Sequence, residues 1–238
     1  MTRSTTARSA LLLGAVVLLV AAVALSLTVG SRDIAPTDVW RLLRAPDGTG
    51  EAAVIHEIRL PRTLLGIAAG AALGLAGALM QSLTRNPLAE PGLLGVNAGA
   101  AVAVVGGVTL LGLTEARQYV WLAFGGAGAA AVVVYLVGGT TRGRAGTSPV
   151  RLALAGAAVT AALMALVSGL IYTDAQALDR YRFWAVGSLS GRDLTVLWQV
   201  APFLVAGLLL GLVLAPALNA MALGDDTGRA LGARPGLV

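Results

Sequence analysis

The sequence predicts an all-α fold, a polytopic bundle of transmembrane helices, and three observations lead to that class. Hydrophobic residues make up 57% of the 238 residues, whereas charged residues make up only 12%. About a quarter of the residues in a soluble domain are charged, so this chain has too little polar surface to cover a core in water. The third observation is that charged residues are absent from six long stretches of the chain.

These six windows contain no arginine, aspartate, glutamate or histidine, and the whole sequence contains no lysine. Each window is longer than the roughly 20 residues that cross a hydrocarbon core of about 30 Å as a helix. They therefore predict six spanning helices in one transmembrane domain over residues 1–238. The windows are 9–31, 63–84, 93–114, 118–141, 152–173 and 194–224.

The first window also has some features of a secretory signal peptide, because Arg3 and Arg8 precede it. Its apolar run exceeds the roughly 7–15 residues of a signal peptide's hydrophobic region, and we expect a retained first helix. A short basic loop with Arg142, Arg144 and Arg151 favours a cytoplasmic position for that loop. The predicted protein is then a multi-pass protein of the cytoplasmic membrane, surrounded by the lipid bilayer, with its N-terminus in the cytoplasm.

The segment 32–62 between the first two windows is polar, and Pro36 and Pro46 interrupt regular structure there. A short surface helix is predicted around Thr37–Leu43. Proline is favoured in the first turn of a helix, where Asp38 also complements the helix dipole.

The second window has glycines at four-residue spacing, Gly66, Gly70 and Gly74, followed by Gly77. Small residues at this spacing let helices in lipid approach each other closely. We expect this helix to pack against protein on at least one face. Packing within one bundle is favoured, and a contact with a second subunit remains the alternative.

A turn is predicted where the second window ends, because prolines and glycines stop a helix. Asn86 precedes Pro87 and is pushed out of the α region. The polar side chains here either cap the turn or contact a substrate, and the residue types alone do not decide between these roles. The predicted turn motif comprises Gln81, Asn86, Pro87, Glu90, Pro91, Gly92 and Gly95.

Several kinds of chemistry have no candidate residues. There is no cysteine, and the only histidine, His56, lies among charged residues, so we expect no metal and no cofactor. No catalytic set or nucleotide-binding loop occurs, and the scattered arginines form no basic stripe for nucleic acid despite the net charge of +5. The windows hold no carboxylate or histidine for proton coupling. Energy for transport would then come from another chain.

Motifs along residues 10–235 resemble one family in an ordered way. The first group consists of Arg59-Leu60-Pro61-Arg62, Gly77 to Gln81, Asn86 to Gly95 and Gly99-Ala100. The second group consists of Leu154-Ala155-Gly156, Phe183 to Gly191 and Leu218 to Gly232. Together they resemble the permease subunits of iron-siderophore and vitamin B12 ABC importers.

This resemblance implies a type II importer with three kinds of partner. A second permease subunit completes a homodimer or heterodimer, a cytoplasmic ATPase hydrolyses ATP, and an extracytoplasmic binding protein delivers the substrate. The expected substrate is a ferric siderophore, with vitamin B12 or haem as the close alternatives. A truncated membrane protein that does not transport is the alternative from a different class.

The resemblance also assigns roles to particular residues. Family members use the arginines that match Arg59 and Arg62 to receive acidic residues of the binding protein, although arginines at a helix end also serve as interface anchors. The fifth window lines the translocation path in the family, and Thr160 and Ser168 are its candidate polar residues here.

Residues 219–234 match the cytoplasmic coupling segment, which contacts the ATPase in the family. Gly228 lowers the helix propensity of this segment by about 1 kcal/mol. The residues expected to couple are Leu223, Gly224, Asp225, Asp226, Arg229, Ala230, Leu231 and Gly232. Family members usually have ten spanning helices, so a permease truncated at its C-terminus is expected.

Overall fold

The computed structural model describes residues 5–113, 115–139, 149–173 and 175–222, and regular structure in these ranges is entirely helical. The α-helices are α1 (Thr5–Thr28), α2 (Pro36–Arg44), α3 (Gly50–Ala53), α4 (Leu60–Thr84), α5 (Val96–Leu111), α6 (Ala116–Gly139), α7 (Pro149–Thr173), α8 (Ala175–Ala185) and α9 (Leu194–Ala222). A π-helix occupies Val54–Arg59 and a 3₁₀ helix occupies Pro91–Leu94. The all-α fold class is confirmed.

Within the described residues, five helical stretches are long and apolar enough to cross a membrane. They are Thr5–Thr28, Gly50–Thr84, Gln118–Gly139, Val150–Tyr172 and Leu194–Ala220. The third of the six windows, 93–114, differs from its prediction, because its helix is only Val96–Leu111. Gly95 has a φ of +70° and separates this helix from the 3₁₀ helix before it. A left-handed residue cannot continue a right-handed helix, so the apolar window becomes two elements.

The chain divides into two compact units, and the first comprises residues up to Ala68 together with Leu189–Leu197. Its core lies where α1, α2 and the π-helix meet. Val39 and Leu42 of α2 are buried there, while the rest of this short helix is largely exposed. The cluster consists of Leu27, Ile34, Val39, Leu42, Ala52 and Ile55. The helix around Thr37–Leu43 is therefore present and begins at Pro36, as the sequence predicts.

A polar loop joins α2 to α3. Asp47 accepts hydrogen bonds from Thr49 Oγ1 (2.6 Å) and from the Thr49 backbone N–H (3.0 Å), and it forms an ion pair with Arg41 (3.2 Å). The two hydrogen bonds from Thr49, reinforced by Arg41, lower the pKa of the Asp47 carboxyl below its ordinary value of 3.8. Thr49 in turn caps α3, because its Oγ1 accepts from the Ala52 N–H at 3.3 Å.

The second unit comprises Ala69–Ser188 and the chain from Trp198 onwards, and α5, α6 and α7 form its core. Ala101, Val105 and Val167 are almost fully buried. Around them pack partly buried side chains of α5, α7 and α8: Val102, Met164, Leu170, Ile171, Tyr181 and Trp184.

Two close backbone contacts hold this core. A methyl group added at Gly99 of α5 would overlap the carbonyl oxygen of Gly126 in α6, and the converse holds for Gly126. A methyl group at Gly156 of α7 would overlap the carbonyl oxygen of Leu93 in the 3₁₀ helix. These glycines therefore allow backbones to approach to distances that a side chain forbids.

The glycine row of α4 has different surroundings from those expected. Methyl groups added at Gly70, Gly74 or Gly77 would have no neighbour within 4 Å among the described residues, whereas one at Gly66 would contact Leu189. The expected packing of this row against the chain's own helices is therefore not found at these three positions.

Candidate functional site

Arg59, the last residue of the π-helix, is buried with only 7% of its surface exposed. Its Nη1 donates hydrogen bonds to the carbonyl oxygens of Leu27 (2.7 Å) and Thr28 (2.8 Å), and its Nη2 donates to the carbonyl oxygen of Arg32. The final carbonyls of a helix lack helical partners and carry a partial negative charge. The Arg59 guanidinium therefore caps the C-terminus of α1.

Further contacts fix this arginine in place. Thr63 Oγ1 donates to the backbone carbonyl oxygen of Arg59 at 2.7 Å, and it also lies 2.7 Å from Ser26 Oγ of α1. A methyl group added at Gly30 would lie 2.8 Å from Arg59 Nη2. The cavity for the guanidinium thus depends on a glycine after α1.

Arg62 differs from Arg59, because its side chain is exposed. It lines an open cleft of about 230 Å³ in the first unit. The cleft walls carry both signs of charge, since two arginines and two carboxylates contribute to them. The lining residues are Glu57, Ile58, Arg62, Leu189, Ser190, Gly191, Arg192 and Asp193.

One wall of the cleft is the loop Leu189–Asp193 that precedes α9. Gly191 has a φ of +68°, a conformation that favours glycine. Asp193 accepts a hydrogen bond from the Val196 N–H at 3.3 Å and so caps α9. Leu189–Gly191 of this loop belong to the motifs that resemble the family, but the loop is not part of the docking site predicted from the sequence. Ser190-Gly191 before a charged pair is typical of a turn before a helix cap, but this pattern does not place the loop beside Arg62.

The two predicted docking arginines therefore lie in different environments. Presenting the Arg59 guanidinium to a partner would require breaking its hydrogen bonds to three backbone carbonyls and exposing a buried charge. Arg62 needs no such rearrangement. Docking stays a prediction for both residues, and Arg62 is the one whose side chain a partner reaches directly.

The predicted turn motif forms a tight turn after α4. Arg85 has a left-handed φ of +53°, and the Asn86 N–H donates to the Gln81 carbonyl oxygen at 3.2 Å, which closes the helix end. Asn86 Oδ1 then accepts from the Leu88 N–H at 2.9 Å. Pro87 and Leu88 are exposed at the tip, whereas Ala89 is buried.

The second half of the motif leads into α5. Pro91 starts the 3₁₀ helix, in which Leu93 N–H donates to Glu90 O (3.2 Å) and Gly95 N–H donates to Gly92 O (2.9 Å). The predicted polar residues of the motif thus include a turn-forming asparagine, while Glu90 and Gln81 contribute backbone carbonyls.

The candidate path residues both lie on α7. Thr160 is half-buried, and Ser168 is exposed. Ser168 Oγ donates to the Met164 carbonyl oxygen one turn earlier at 2.9 Å, so its hydroxyl is already satisfied by the helix. The exposed residues in the middle of α7 are mostly small, whereas Leu154, Leu166 and Tyr172 are large and also exposed. The small ones are Ala157, Ala158, Ala161, Ala162, Ala165, Ser168 and Gly169.

The predicted coupling residues lie outside the described part of the chain. All eight, from Leu223 to Gly232, follow the last described residue, Ala222. Asn219 to Ala222 of the same predicted segment form the end of α9.

Long apolar helices with charges confined to their ends and connections define a multi-pass membrane protein. Within that class, the chain belongs to the FecCD transport family, whose family model matches residues 18–238.

Relatives and a solved structure agree with this membership. The chain is 46% identical over 222 residues to the ferric enterobactin transport system permease protein FepD of Escherichia coli (strain K12), covering 93% of this chain and 66% of that protein. It is 38% identical over 220 residues to the vitamin B12 import system permease protein BtuC of Citrobacter koseri, covering 91% and 62%.

A solved inward-facing structure described as a metal-chelate type ABC transporter has a similar fold. It matches with a TM-score of 0.76 and 26% identity, covering 96% of this chain and 70% of that one. The chain thus spans just under two thirds of the length of the ferric enterobactin relative.

Proposed function

We propose that this chain forms part of a permease subunit of an ATP-binding cassette importer that moves a ferric siderophore across the cytoplasmic membrane. The observation that carries the proposal is the 46% identity to a ferric enterobactin permease over 93% of the chain. The N-terminus faces the cytoplasm in this proposal, and a second permease subunit, identical or homologous, completes the path.

ATP hydrolysis is assigned to a separate cytoplasmic subunit. The six charge-free windows offer no carboxylate or histidine that couples transport to protons. Residues 219–234 are proposed to contact the ATPase. Leu231→Glu is expected to uncouple ATP hydrolysis from substrate in the reconstituted importer. Leu237→Glu, just beyond the segment, is the matched control, and equal substrate-stimulated ATP turnover in both variants and wild type would contradict this role.

The cleft beside Arg62 is proposed as a docking point for the extracytoplasmic binding protein. An exposed arginine attracts acidic side chains and pairs with a carboxylate through two hydrogen bonds. Arg59 contributes in this proposal by holding the end of α1 and the chain up to Arg32 in place.

The docking test compares two exposed arginines. Arg62→Gln is expected to weaken binding of the binding protein about tenfold, which corresponds to about 1.4 kcal/mol, and to reduce its salt dependence. Arg41→Gln removes the same charge from an arginine that pairs with Asp38 and Asp47. If both variants bind as wild type across salt concentrations, Arg62 is not a docking residue.

The translocation path is proposed to run along the exposed face of α7. Small side chains leave room for a bulky chelate, and a serine hydroxyl that already bonds its own helix does not retain a passing ligand. Ala165→Trp is expected to slow uptake without changing binding of the delivery protein. Wild-type uptake in this variant would place the path elsewhere.

The substrate is tested by competition between chelate classes. Uptake of radioactive iron as ferric enterobactin by proteoliposomes with the complete importer would support the proposal. The identity to a vitamin B12 permease favours cobalamin as the second candidate. Uptake of cobalamin alone would mean that the chain belongs to an importer with a different substrate. ATP turnover without uptake of either compound would contradict the transport function.

A further inference from the structure

The exposed face of α2 carries an aromatic and a cationic side chain in contact. The guanidinium carbon of Arg44 lies 4.1 Å from the centroid of the Trp40 ring, one helical turn away. Trp40 is 59% exposed although it is the largest side chain of this helix. Val39 and Leu42 anchor the opposite face in the core of the first unit.

The position of α2 along α1 fixes its level relative to a bilayer. α1 has 24 residues and is therefore about 36 Å long, which exceeds a hydrocarbon core of about 30 Å. Its last turn reaches the headgroup layer. Leu27 in that turn packs with Val39 and Leu42, and the Ile34 N–H donates to the Thr28 carbonyl oxygen at 3.0 Å. α2 is thereby attached at headgroup level.

The exposed surface of α1 is apolar as far as its end. Every residue from Thr5 to Ala22 is exposed, and nearly all of those from Ala10 onwards are apolar, so this helix has a surface suited to lipid. Val29, directly after α1, is still 58% exposed. α2 begins seven residues after Val29, at Pro36, and its exposed face carries Trp40.

The charge of Arg44 lacks a carboxylate partner within the described part of the chain. Its neighbour Arg41 forms ion pairs with Asp38 (3.3 Å) and Asp47 (3.2 Å), whereas the Arg44 guanidinium lies over the Trp40 ring. An arginine fork fits a phosphate group, and tryptophan prefers the membrane interface. The pair thus combines the two side-chain types that bind lipid headgroups.

We propose that the Trp40–Arg44 face of α2 binds phospholipid headgroups and fixes the end of α1 at the membrane surface. Headgroup binding by this face does not depend on which side of the membrane it lies or on the transported substrate. The attachment of α2 to the end of α1 through Leu27, Val39 and Leu42 favours lipid over a docking protein as the occupant, because the exposed surface of α1 is apolar.

Quenching of Trp40 fluorescence in vesicles tests this proposal. The full chain is reconstituted in phosphatidylcholine with phosphatidylglycerol, and the emission of Trp40→Phe is subtracted from that of wild type to isolate Trp40. A spin label on the headgroup is expected to quench this component at least about twofold more than a label near the bilayer centre, about 15 Å deeper. Spin-labelled phosphatidylglycerol should quench about fivefold better than labelled phosphatidylcholine, as one arginine near an anionic surface implies.

Two matched variants test the charge. Arg44→Gln is expected to abolish the preference for phosphatidylglycerol, and Arg41→Gln is expected to keep it. The proposal fails if iodide in water quenches Trp40 fully while neither lipid label does. It also fails if the lipid labels have no effect and Trp40 emission shifts only when the extracytoplasmic binding protein is added, since the occupant would then be a protein.

Discussion

Glycines of the second unit occur both in close helix contacts and in open space. In α5 and α6, Gly99 and Gly126 face each other, and neither has room for a methyl group because the other's carbonyl oxygen occupies the space. In α4, Gly70 and Gly74 have open space where a methyl group would be. The spacing of small residues therefore predicts that a close helix contact can form, but it does not identify the neighbouring helix or establish that this chain supplies one.

Gly156 gives the largest expected effect in this comparison. Gly156→Ala places a methyl group on the Leu93 carbonyl oxygen and 2.8 Å from the Leu93 carbonyl carbon, so the backbone before Gly95 must move. We expect the free energy of unfolding to fall by about 3 kcal/mol. Gly169→Ala on the same helix meets no atom within 4 Å and is the control. Thermal unfolding in detergent checks both, and equal midpoints would show that the Leu93 contact is not tight.

The α5–α6 crossing should respond nearly as strongly. Gly99→Ala would place its methyl group 2.5 Å from Ala130 Cβ as well as on the Gly126 carbonyl oxygen, and we expect a loss of about 2 kcal/mol. Gly74→Ala is expected to be neutral or to stabilise by up to about 1 kcal/mol through helix propensity. The same unfolding measurement compares the two. If Gly74→Ala lowers the free energy of unfolding as much as Gly99→Ala, the close backbone contact is not what makes Gly99 sensitive.

Gly107 tests whether the kind of neighbouring atom matters. A methyl group there would lie 2.5 Å from Leu122 Cδ1 and 3.3 Å from Leu113 Cδ1, which are the ends of flexible side chains. Because these atoms move by side-chain rotation, Gly107→Ala should change the free energy of unfolding by less than about 1 kcal/mol. A cost as large as that of Gly99→Ala would mean that the leucines cannot rotate away.

Asp47 gives the smallest expected effect, since it belongs to an exposed loop instead of a helix contact. Its carboxyl has a lowered pKa in the folded protein, so its stabilising contribution is present above the ordinary value of 3.8 and is lost as the pH falls through the lowered pKa. Asp47→Asn should remove this dependence. The measurement is the difference in unfolding midpoint between wild type and variant from about pH 5 down to about pH 2. A constant difference over that range would contradict the assigned hydrogen bonds.

Most of the helices could be predicted from the sequence because the lipid bilayer restricts where charged residues can lie. Charges are costly in hydrocarbon, so charge-free windows mark spanning helices, and the second window ends at Thr84, where α4 ends. The helix beginning at Pro36 was also predictable from local signals. The break at Gly95 was not predicted as a helix boundary, because the absence of charge in a window carries no information on the left-handed φ of a glycine inside it.

The candidate site was predictable in part. Arg59 and Arg62 were both predicted as site residues. Because residues three apart on a helix normally share a face, both were expected to be equally accessible. The burial of Arg59 depends on the carbonyls of Leu27 and Thr28 and on space beside Gly30, about thirty residues earlier in the chain. No local pattern contains that information. The loop Leu189–Asp193 was missed as a cleft wall for the same reason, since Arg62 lies far from it in the sequence.

The contact between Gly30 and Arg59 restricts the order in which mutations can accumulate. A side chain at position 30 would displace a guanidinium that three carbonyls hold, so it becomes acceptable only after Arg59 has been replaced by a shorter residue. If position 30 changes first, its new side chain clashes with the Arg59 guanidinium, and α1 loses the arginine that caps its C-terminus. Among descendants of this chain, Gly30 is therefore expected to persist wherever Arg59 does, and the two positions should vary together.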